Sequence, residues 1–208
     1  MAPRTQSPRR KTRGSYDPEQ TRQLLLDSAL ALFGDQGFHG TSVQEIVERA
    51  QVTKGAFYHH FESKEDVLSL IHDQFLAVQQ EAIDRILGEV ESPVEQLREV
   101  IRESVLSVTD YRQHVAVFFQ ERRYLTGARA RDVKRKRDKL DRAMDEIVLA
   151  GIEQGLFDPR ITARVAVFGI VGMSAWVHQW YRADGSMSAD QVADDLASLA
   201  LDGLVVRA

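Results

Sequence analysis

The sequence predicts an all-α protein of about nine helices, and three observations support this fold class. Apolar residues recur every three to four positions through most of the chain, which is the spacing of one helix face. No segment alternates apolar and polar residues as half-buried strands do. Three of the five prolines directly follow a residue that caps helices well, at Asp17, Ser92 and Asp158.

N-cap residues locate the first four helices. Asp17 begins the first helix, and Thr53 begins a third helix of about two turns. Ser42 and Ser63 each stand three residues before an acid, the capping-box pattern, and so begin the second and fourth helices.

The later helices follow from the same signals. Ser92 begins the fifth helix and forms another capping-box pattern with Glu95, while Asp158 begins the eighth. An apolar stripe that includes Leu196 and Leu199 identifies the ninth. The predicted helices lie near residues 17–36, 42–49, 53–59, 63–88, 93–109, 112–125, 128–154, 160–183 and 188–205.

The composition indicates a globular chain and excludes several kinds of site. Of the 208 residues, 43% are hydrophobic and 28% charged, and the net charge of −4 excludes a histone-like, wholly basic protein. The absence of cysteine excludes disulfides, thiolate-bound zinc, iron–sulfur clusters and a thiol nucleophile. The histidines lack the spacing of metal ligands, so we expect no metal site and no cofactor.

No membrane or export segment is predicted. The longest apolar run, Val165 to Val177, has 13 residues. A helix that spans a bilayer needs about 20 residues. The basic N-terminus is not followed by an apolar run, so it does not resemble a secretory signal. We therefore expect a cytoplasmic protein without a membrane partner.

Residues 42–59 predict two short helices joined by a tight turn and packed on a longer first helix, which is the architecture of a helix-turn-helix DNA reader. The second short helix offers a hydroxyl, a cation, a glycine that permits close approach and two polar ring tips: Thr53, Lys54, Gly55, Tyr58 and His59. Residues 1–16 hold five basic residues and no acid, and predict a disordered arm, either an inert terminus or a DNA-contacting one.

The stretch Gly40–Asp66, GTSVQEIVERAQVTKGAFYHHFESKED, resembles the signature of the TetR family of bacterial transcriptional regulators. That family usually has glycine where Gln51 stands, so we expect Gln51 to be left-handed at a cost of about 1 kcal/mol. The resemblance implies a DNA-binding domain over residues 17–62 and a ligand-binding and dimerisation domain over 63–208. The residues it implies at the DNA are Thr41, Ser42, Thr53, Lys54, Gly55, Tyr58, His59 and Lys64.

The C-terminal part is similar to the acyl-CoA-responsive branch of this family, through Gly151–Phe157 and the run from Phe168 to Gly185. Ala175 stands where the branch commonly has asparagine. The similarity implies an apolar cavity with arginines for the CoA phosphates. The ligand-binding residues expected are Phe118, Phe119, Arg122, Arg123, Met173, Trp176, Trp180 and Tyr181.

Two features of this part have alternative interpretations. The aromatic residues could belong to an ordinary core or a dimer interface instead of a ligand cavity. The segment Arg129–Arg142 holds eight basic and three acidic residues, and is either a solvated helix face or an edge that binds phosphates.

Small residues in the eighth helix and the apolar stripe of the ninth predict a homodimer. Glycines allow helices to approach closely, so these two helices are expected to pack against their copies in a four-helix interface. The residues expected there are Gly169, Gly172, Val192, Leu196, Leu199 and Leu204.

Together these features predict a DNA-binding transcriptional regulator, most simply a repressor that a small hydrophobic effector, favoured to be an acyl-CoA thioester, releases from a palindromic operator. The alternatives are a multidrug or other small-molecule-responsive repressor and a ligand-independent architectural DNA-binding dimer. No enzyme is expected, because the chain has no thiol nucleophile, Walker loop, GxSxG or GxGxxG motif.

Overall fold

The structure, a computed structural model, describes residues 17–206, and within this range it has nine α-helices and no strand. The all-α prediction is therefore confirmed; the arm predicted at residues 1–16 lies outside the described residues. A 3-10 turn, Arg122–Tyr124, follows α6. The helices are α1 Pro18–Gly40, α2 Val43–Arg49, α3 Lys54–His60, α4 Lys64–Glu89, α5 Pro93–Asp110, α6 Arg112–Glu121, α7 Gly127–Glu153, α8 Ala163–Trp180 and α9 Ala189–Leu204.

Some of the predicted N-cap residues form the expected hydrogen bonds at the helix starts, and others do not. Asp17 accepts hydrogen bonds from the backbone amides of Glu19 and Gln20 at 3.0 and 3.3 Å. Ser42 and Glu45 form the complete predicted capping box. Ser92 makes no side-chain cap, so the box predicted there is wrong.

The predicted start of the eighth helix is also wrong, because α8 begins at Ala163. The Asp158 carboxylate accepts hydrogen bonds from the backbone amide and the guanidinium of Arg160, which lowers the pKa of Asp158 to about 2. Its backbone amide donates to the Leu204 carbonyl at 2.8 Å, so this segment is a turn against the end of α9.

The helices form two packed groups that share α4. In the first group, α1 packs against α2, α3 and α4 around a core that includes Phe33, Ile46 and Phe57, all fully buried. In the second, α5 is central and contacts α4, α7, α8 and α9. Helix α1 also packs against α6, so α4 and α6 together determine how the first group sits on the larger bundle.

The turn between α2 and α3 has the left-handed residue that the sequence predicts. Gln51 has a φ of 56°, and it alone among the described non-glycine residues has a positive φ. The Val52 amide donates to the Val47 carbonyl at 2.9 Å and the Gln51 amide to the Glu48 carbonyl at 3.1 Å, which is the Schellman arrangement. This turn sets the angle between the two short helices.

Replacing Gln51 with glycine should stabilise the protein. A left-handed non-glycine residue costs about 1–2 kcal/mol, of which the extra chain entropy of glycine offsets part. We expect the free energy of unfolding to rise by up to about 1 kcal/mol, or about 2–4 °C in melting temperature. Thermal unfolding checks this, with Gln51→Ala as the control because alanine retains the Cβ. Equal stability of the two variants would contradict the prediction.

Candidate functional site

Helix α3 is anchored on one side and exposed on the other. Phe57 is fully buried and Phe61, just after the helix, is nearly so. The Thr53 hydroxyl accepts a hydrogen bond from the Ala56 amide at 3.2 Å and caps the helix. The remaining residues predicted at the DNA on this helix are exposed and share its outer side: Lys54, Gly55, Tyr58 and His59.

Nothing inside the protein requires a glycine at position 55. A Cβ added there would come no closer than 3.7 Å to a neighbouring atom, the Thr53 hydroxyl oxygen, which is ordinary van der Waals contact. Glycine in a helix costs about 1 kcal/mol relative to alanine. The exposed face of α3 therefore has a bare backbone position that intramolecular packing does not explain.

Two of the residues expected at the DNA are placed differently by the structure. Thr41 is only 2% exposed and its hydroxyl donates to the Gly37 carbonyl at 2.9 Å. The Lys64 ammonium donates to the carbonyls of Phe38 and Thr41 and lies 4.3 Å from the centre of the Phe38 ring. Both residues thus hold the end of α1 against α4 and α2, and Ser42 remains exposed as the α2 cap.

Replacing Lys64 with glutamine should lower stability and leave the salt dependence of DNA binding unchanged. The substitution removes the charged donor from two carbonyls, and a hydrogen bond to a charged group is worth about 1.5–3 kcal/mol. Thermal unfolding and an operator titration at several salt concentrations check this. If the ammonium instead contacted a phosphate, the salt slope would fall by about one unit per protomer.

A cluster of contacts joins the end of α1 to the 3-10 turn. The Tyr124 ring stacks on Phe38 with centroids 5.6 Å apart and meets the His39 ring edge-on at 4.0 Å; we call these three residues the Tyr124 stack. Just beyond it, the Glu65 carboxylate accepts hydrogen bonds from the amide and hydroxyl of Thr126 at 2.7 and 2.9 Å. The end of α1 and the start of α4 are therefore in direct contact with the segment between α6 and α7.

A cavity of about 420 Å³ lies between α4, α5, α6, α7 and α8. Its walls are largely aliphatic and aromatic. The cations that line it lie on the α7 and α8 side and at the 3-10 turn. The lining residues that carry its character are Phe75, Ile83, Val108, Val115, Phe118, Phe119, Arg122, Lys134, Arg137, Met144, Arg164 and Ser174. This is a concave apolar site with a charged edge, the usual form of a small-molecule site.

The charged edge is partly neutralised within the protein. The Arg164 guanidinium lies 2.8 Å from the Asp145 carboxylate and 3.6 Å from that of Asp141. Burial raises the pKa of Asp141, and Arg164 opposes that rise. Lys134 pairs with Asp138. Ser174 is buried at the wall, and its hydroxyl has no hydrogen-bond partner among the described residues.

One titratable group lies behind the aromatic wall. The His72 ring is fully buried, 4.9 Å from the centre of the Phe118 ring. Burial lowers the pKa of His72 to about 4, so the imidazole is neutral near pH 7. It therefore adds no charge to the cavity.

Three of the predicted ligand-binding residues, Phe118, Phe119 and Arg122, line the cavity. Arg123 lines an adjoining cleft instead. The other four do not line either space: Met173, Trp176, Trp180 and Tyr181. One of the two interpretations of the segment Arg129–Arg142 of α7 is a phosphate-binding edge, and its Lys134 and Arg137 line the cavity. No individual residue of the walls from α4 and α5 was predicted, because no short motif marks them.

Trp176 and Trp180 lie on the outer face of α8. Trp176 is 62% exposed and shares this face with Val165, Gly169 and Gly172, at spacings of three and four residues. The aromatic pair predicted for the ligand thus falls on the face predicted for dimerisation.

Helix α9 has two apolar sides. Val192 and Leu204, both expected in a dimer interface, are buried within the protomer, so the structure contradicts that assignment. Leu199 is 65% exposed and Leu196 partly so, on the side away from α5. We call these two leucines and the exposed apolar residues of α8 the α8–α9 face.

Two kinds of feature are absent from the part of the chain that the structure describes. Within residues 17–206, no group of His, Asp and Glu side chains is arranged to hold a metal ion. In the same range, no helix combines the length and apolarity needed to cross a membrane.

A helix-turn-helix unit joined to a larger helical bundle is the architecture of a class of DNA-binding regulators. Within this class the chain belongs to the TetR family. A family model described as "Tetracyclin repressor-like, C-terminal domain" matches residues 90–204, and one described as "Bacterial regulatory proteins, tetR family" matches residues 25–71. Because these proteins regulate transcription and are not enzymes, the expectation that the chain is no enzyme is confirmed.

Similar proteins cover almost the whole chain. The HTH-type transcriptional repressor KstR2 of Mycolicibacterium smegmatis is 29% identical over 189 residues, 90% of this chain and 92% of that protein. A structure of AibR in complex with isovaleryl coenzyme A and operator DNA is 29% identical, with a TM-score of 0.78 over 86% of this chain and 97% of that one. The ketosteroid transcriptional regulator KstR2 of Mycobacterium tuberculosis, at 24% identity, shares the fold with a TM-score of 0.82 over 89% of this chain and 95% of that one.

Proposed function

We propose that the protein is a homodimeric repressor that leaves a palindromic operator when a small effector with an apolar body and an anionic head, of the acyl-CoA thioester class, binds the cavity. The observation that carries this proposal is the cavity itself, about 420 Å³ with apolar walls and Arg122, Lys134 and Arg137 at its edge. The similarity to AibR, whose structure contains isovaleryl coenzyme A and operator DNA, supports the same class.

The charges of the cavity favour an anion over a cationic drug. Its lining contains four cations and two carboxylates, and Asp138 and Asp141 already face basic partners. A cationic ligand would therefore meet net repulsion. A ligand-independent architectural role would leave both the cavity and the unpartnered Ser174 hydroxyl without a purpose.

The operator would be read by the exposed side of α3. Lys54 supplies a cation for a phosphate, Tyr58 and His59 supply polar tips, and the bare backbone at Gly55 permits close approach. Two copies of α3 related by a two-fold axis suit two half-sites about one helical turn apart. In this proposal, residues 17–62 form the DNA-binding domain, and residues 63–208 form the ligand-binding and dimerisation domain. The protein works in the cytoplasm.

Release would be a shift between two dimer states. The ligand fills the space between α4 and α5–α8, and α4 begins directly after the reader helix. One state spaces the two α3 helices to fit the operator, and the other does not. A ligand that favours the second state by about 3 kcal/mol weakens operator affinity about a hundredfold.

A ligand panel tests this proposal. Coenzyme A thioesters, the matching free acids and cationic drugs are compared by thermal shift, and hits are then tested for operator release. We expect a thioester at a hundred times its Kd to stabilise the protein by about 2.7 kcal/mol and to release the operator. Stabilisation by cationic drugs alone would overturn the proposed effector class.

Two serine variants sharpen the test. Ser174→Ala removes the unpartnered hydroxyl at the cavity wall. It should therefore weaken binding of the thioester without destabilising the free protein. Ser107→Ala is the matched control, because Ser107 is also buried but does not line the cavity. Equal affinities of the two variants would show that the hydroxyl does not contact the ligand.

A further inference from the structure

Three carboxylates follow the reader helix α3 within six residues, at Glu62, Glu65 and Asp66; we call them the junction acids. Glu62 lies two residues past the end of α3, and its side chain is 84% exposed. It is three residues from His59, so the two Cα atoms are at most about 11 Å apart. The Debye length is about 10 Å in 0.1 M salt. An unpaired carboxylate here would therefore repel the phosphates that α3 approaches.

The start of α7 supplies partners for all three junction acids. The Arg129 guanidinium lies 2.8 Å from the Glu62 carboxylate and 3.6 Å from that of Asp66. About one helical turn earlier, the amide and hydroxyl of Thr126 donate to the Glu65 carboxylate. Because Thr126 is uncharged, only Arg129 of these two partners cancels negative charge.

The cation inside the same segment is already used elsewhere. Lys64 stands between Glu62 and Glu65 in the sequence, but its ammonium donates to the carbonyls of Phe38 and Thr41. The counter-charge for Glu62 comes instead from an arginine that is 67 residues away in the chain.

Stability alone does not explain the pair between Arg129 and Glu62. Ion pairs between exposed side chains contribute little to folding. The Asp66 carboxylate also accepts a hydrogen bond from the Glu62 amide at 3.2 Å, so the junction between α3 and α4 has a local bond of its own. What Arg129 changes is the charge that the end of the reader helix presents to DNA.

We propose that Arg129 is a positioning residue for operator binding: it draws the Glu62 carboxylate onto α7 and cancels charge that would otherwise oppose the phosphates. This inference rests on the proposed function, because it assumes that α3 reads the operator. Arg129 acts through Glu62 and does not touch the DNA. A residue of the larger helical bundle thus contributes to operator affinity.

Titrations of Arg129→Gln, Glu62→Gln and the double variant test this role, with a DNA duplex that the wild type selects from random sequences. In about 0.1 M salt we expect Arg129→Gln to bind about tenfold more weakly, because each protomer of the dimer then carries an unpaired carboxylate near the phosphates. Glu62→Gln should bind at least as well as the wild type. The double variant lacks the repelling carboxylate, so its affinity should return to within about threefold of the wild type.

Arg135→Gln is the matched control, because it removes the same charge from α7 and Arg135 pairs with Asp132 of its own helix. It should bind the duplex like the wild type. A similar loss in Arg135→Gln would overturn the inference, since any cation of α7 would then serve. All variants should unfold near the wild-type temperature, because only surface ion pairs are changed.

Lys54→Ala, measured on the same duplex, separates this inference from the proposed function. If Lys54→Ala weakens binding and Arg129→Gln does not, only the role of Arg129 is overturned. If the double variant binds as weakly as Arg129→Gln, the arginine contacts DNA or shapes the reader directly, and the role through Glu62 is overturned. If neither Lys54→Ala nor Arg129→Gln weakens binding, α3 does not read the operator and both proposals are overturned.

Discussion

Replacing Leu199 with glutamate should convert the proposed dimer to a monomer and remove specific operator binding. Leu199 is 65% exposed in the protomer, on the side of α9 away from its own core. In a two-fold dimer it would be buried in both copies, so the variant would bury two charges. An unpaired charge in an apolar interface costs several kcal/mol, more than one leucine contributes.

The apolar surface around Leu199 explains why the effect should be large. Val165, Trp176 and Trp180 of α8 are also exposed, and a Cβ added at Gly169 or Gly172 would meet no atom within 4 Å outside the neighbouring backbone of α8. Exposed apolar surfaces of this kind mark protein interfaces. The two glycines would let the α8 helices of two protomers approach closely.

Sedimentation velocity and an operator titration check the prediction together. Ser198→Glu is the matched control, because Ser198 is exposed on the same helix about a quarter turn from Leu199. The control should remain a dimer that binds the operator. A Leu199→Glu protein that sediments like the wild type, or a wild type that is monomeric at micromolar concentration, would contradict the proposed interface.

Replacing Lys54 with alanine should weaken operator binding without changing the fold. The side chain is exposed on α3, so its removal leaves no cavity and no unpaired buried group. If each copy contacts one phosphate, the salt slope of binding should fall by about two units per dimer, one for each protomer. His59→Ala should act in the same direction.

Fluorescence anisotropy over a range of salt concentrations measures that slope. Lys139→Ala is the control, because it removes a lysine that is also exposed, on α7. Helix content and dimerisation should be the same in the three variants as in the wild type. An unchanged slope for Lys54→Ala would mean that α3 is oriented differently on the DNA.

Sequence reasoning succeeded where a structure depends on neighbours along the chain. The left-handed turn at Gln51 and the capping box at Ser42 are determined within a few residues, and both are present. The break in α1 at Gly37, with a φ of 78°, likewise falls directly after the predicted helix end at residue 36. Short-range hydrogen bonds and backbone preferences suffice for these features.

It failed where the outcome depends on distant partners. The acceptors of the Lys64 ammonium, the carbonyls of Phe38 and Thr41, lie 26 and 23 residues away, so no local pattern could show that the cation is already used. Helical periodicity likewise detected the apolar residues of α9. It could not show that Val192 and Leu204 are buried within the protomer whereas Leu199 is 65% exposed, because burial depends on which distant helices pack against each part of α9.

The 3-10 turn has a consequence for how effector affinity depends on DNA. Arg122 at its start lines the cavity, and Tyr124 at its end contacts α1 through the Tyr124 stack. A constraint of this kind acts equally in both directions, because binding free energies are reciprocal. An effector that weakens the operator complex about a hundredfold must itself bind the operator-bound dimer about a hundredfold more weakly than the free one. In the proposed mechanism, dimers already on their operators would therefore respond only at effector concentrations well above those that saturate the free protein. The pool of free dimers would then buffer the signal.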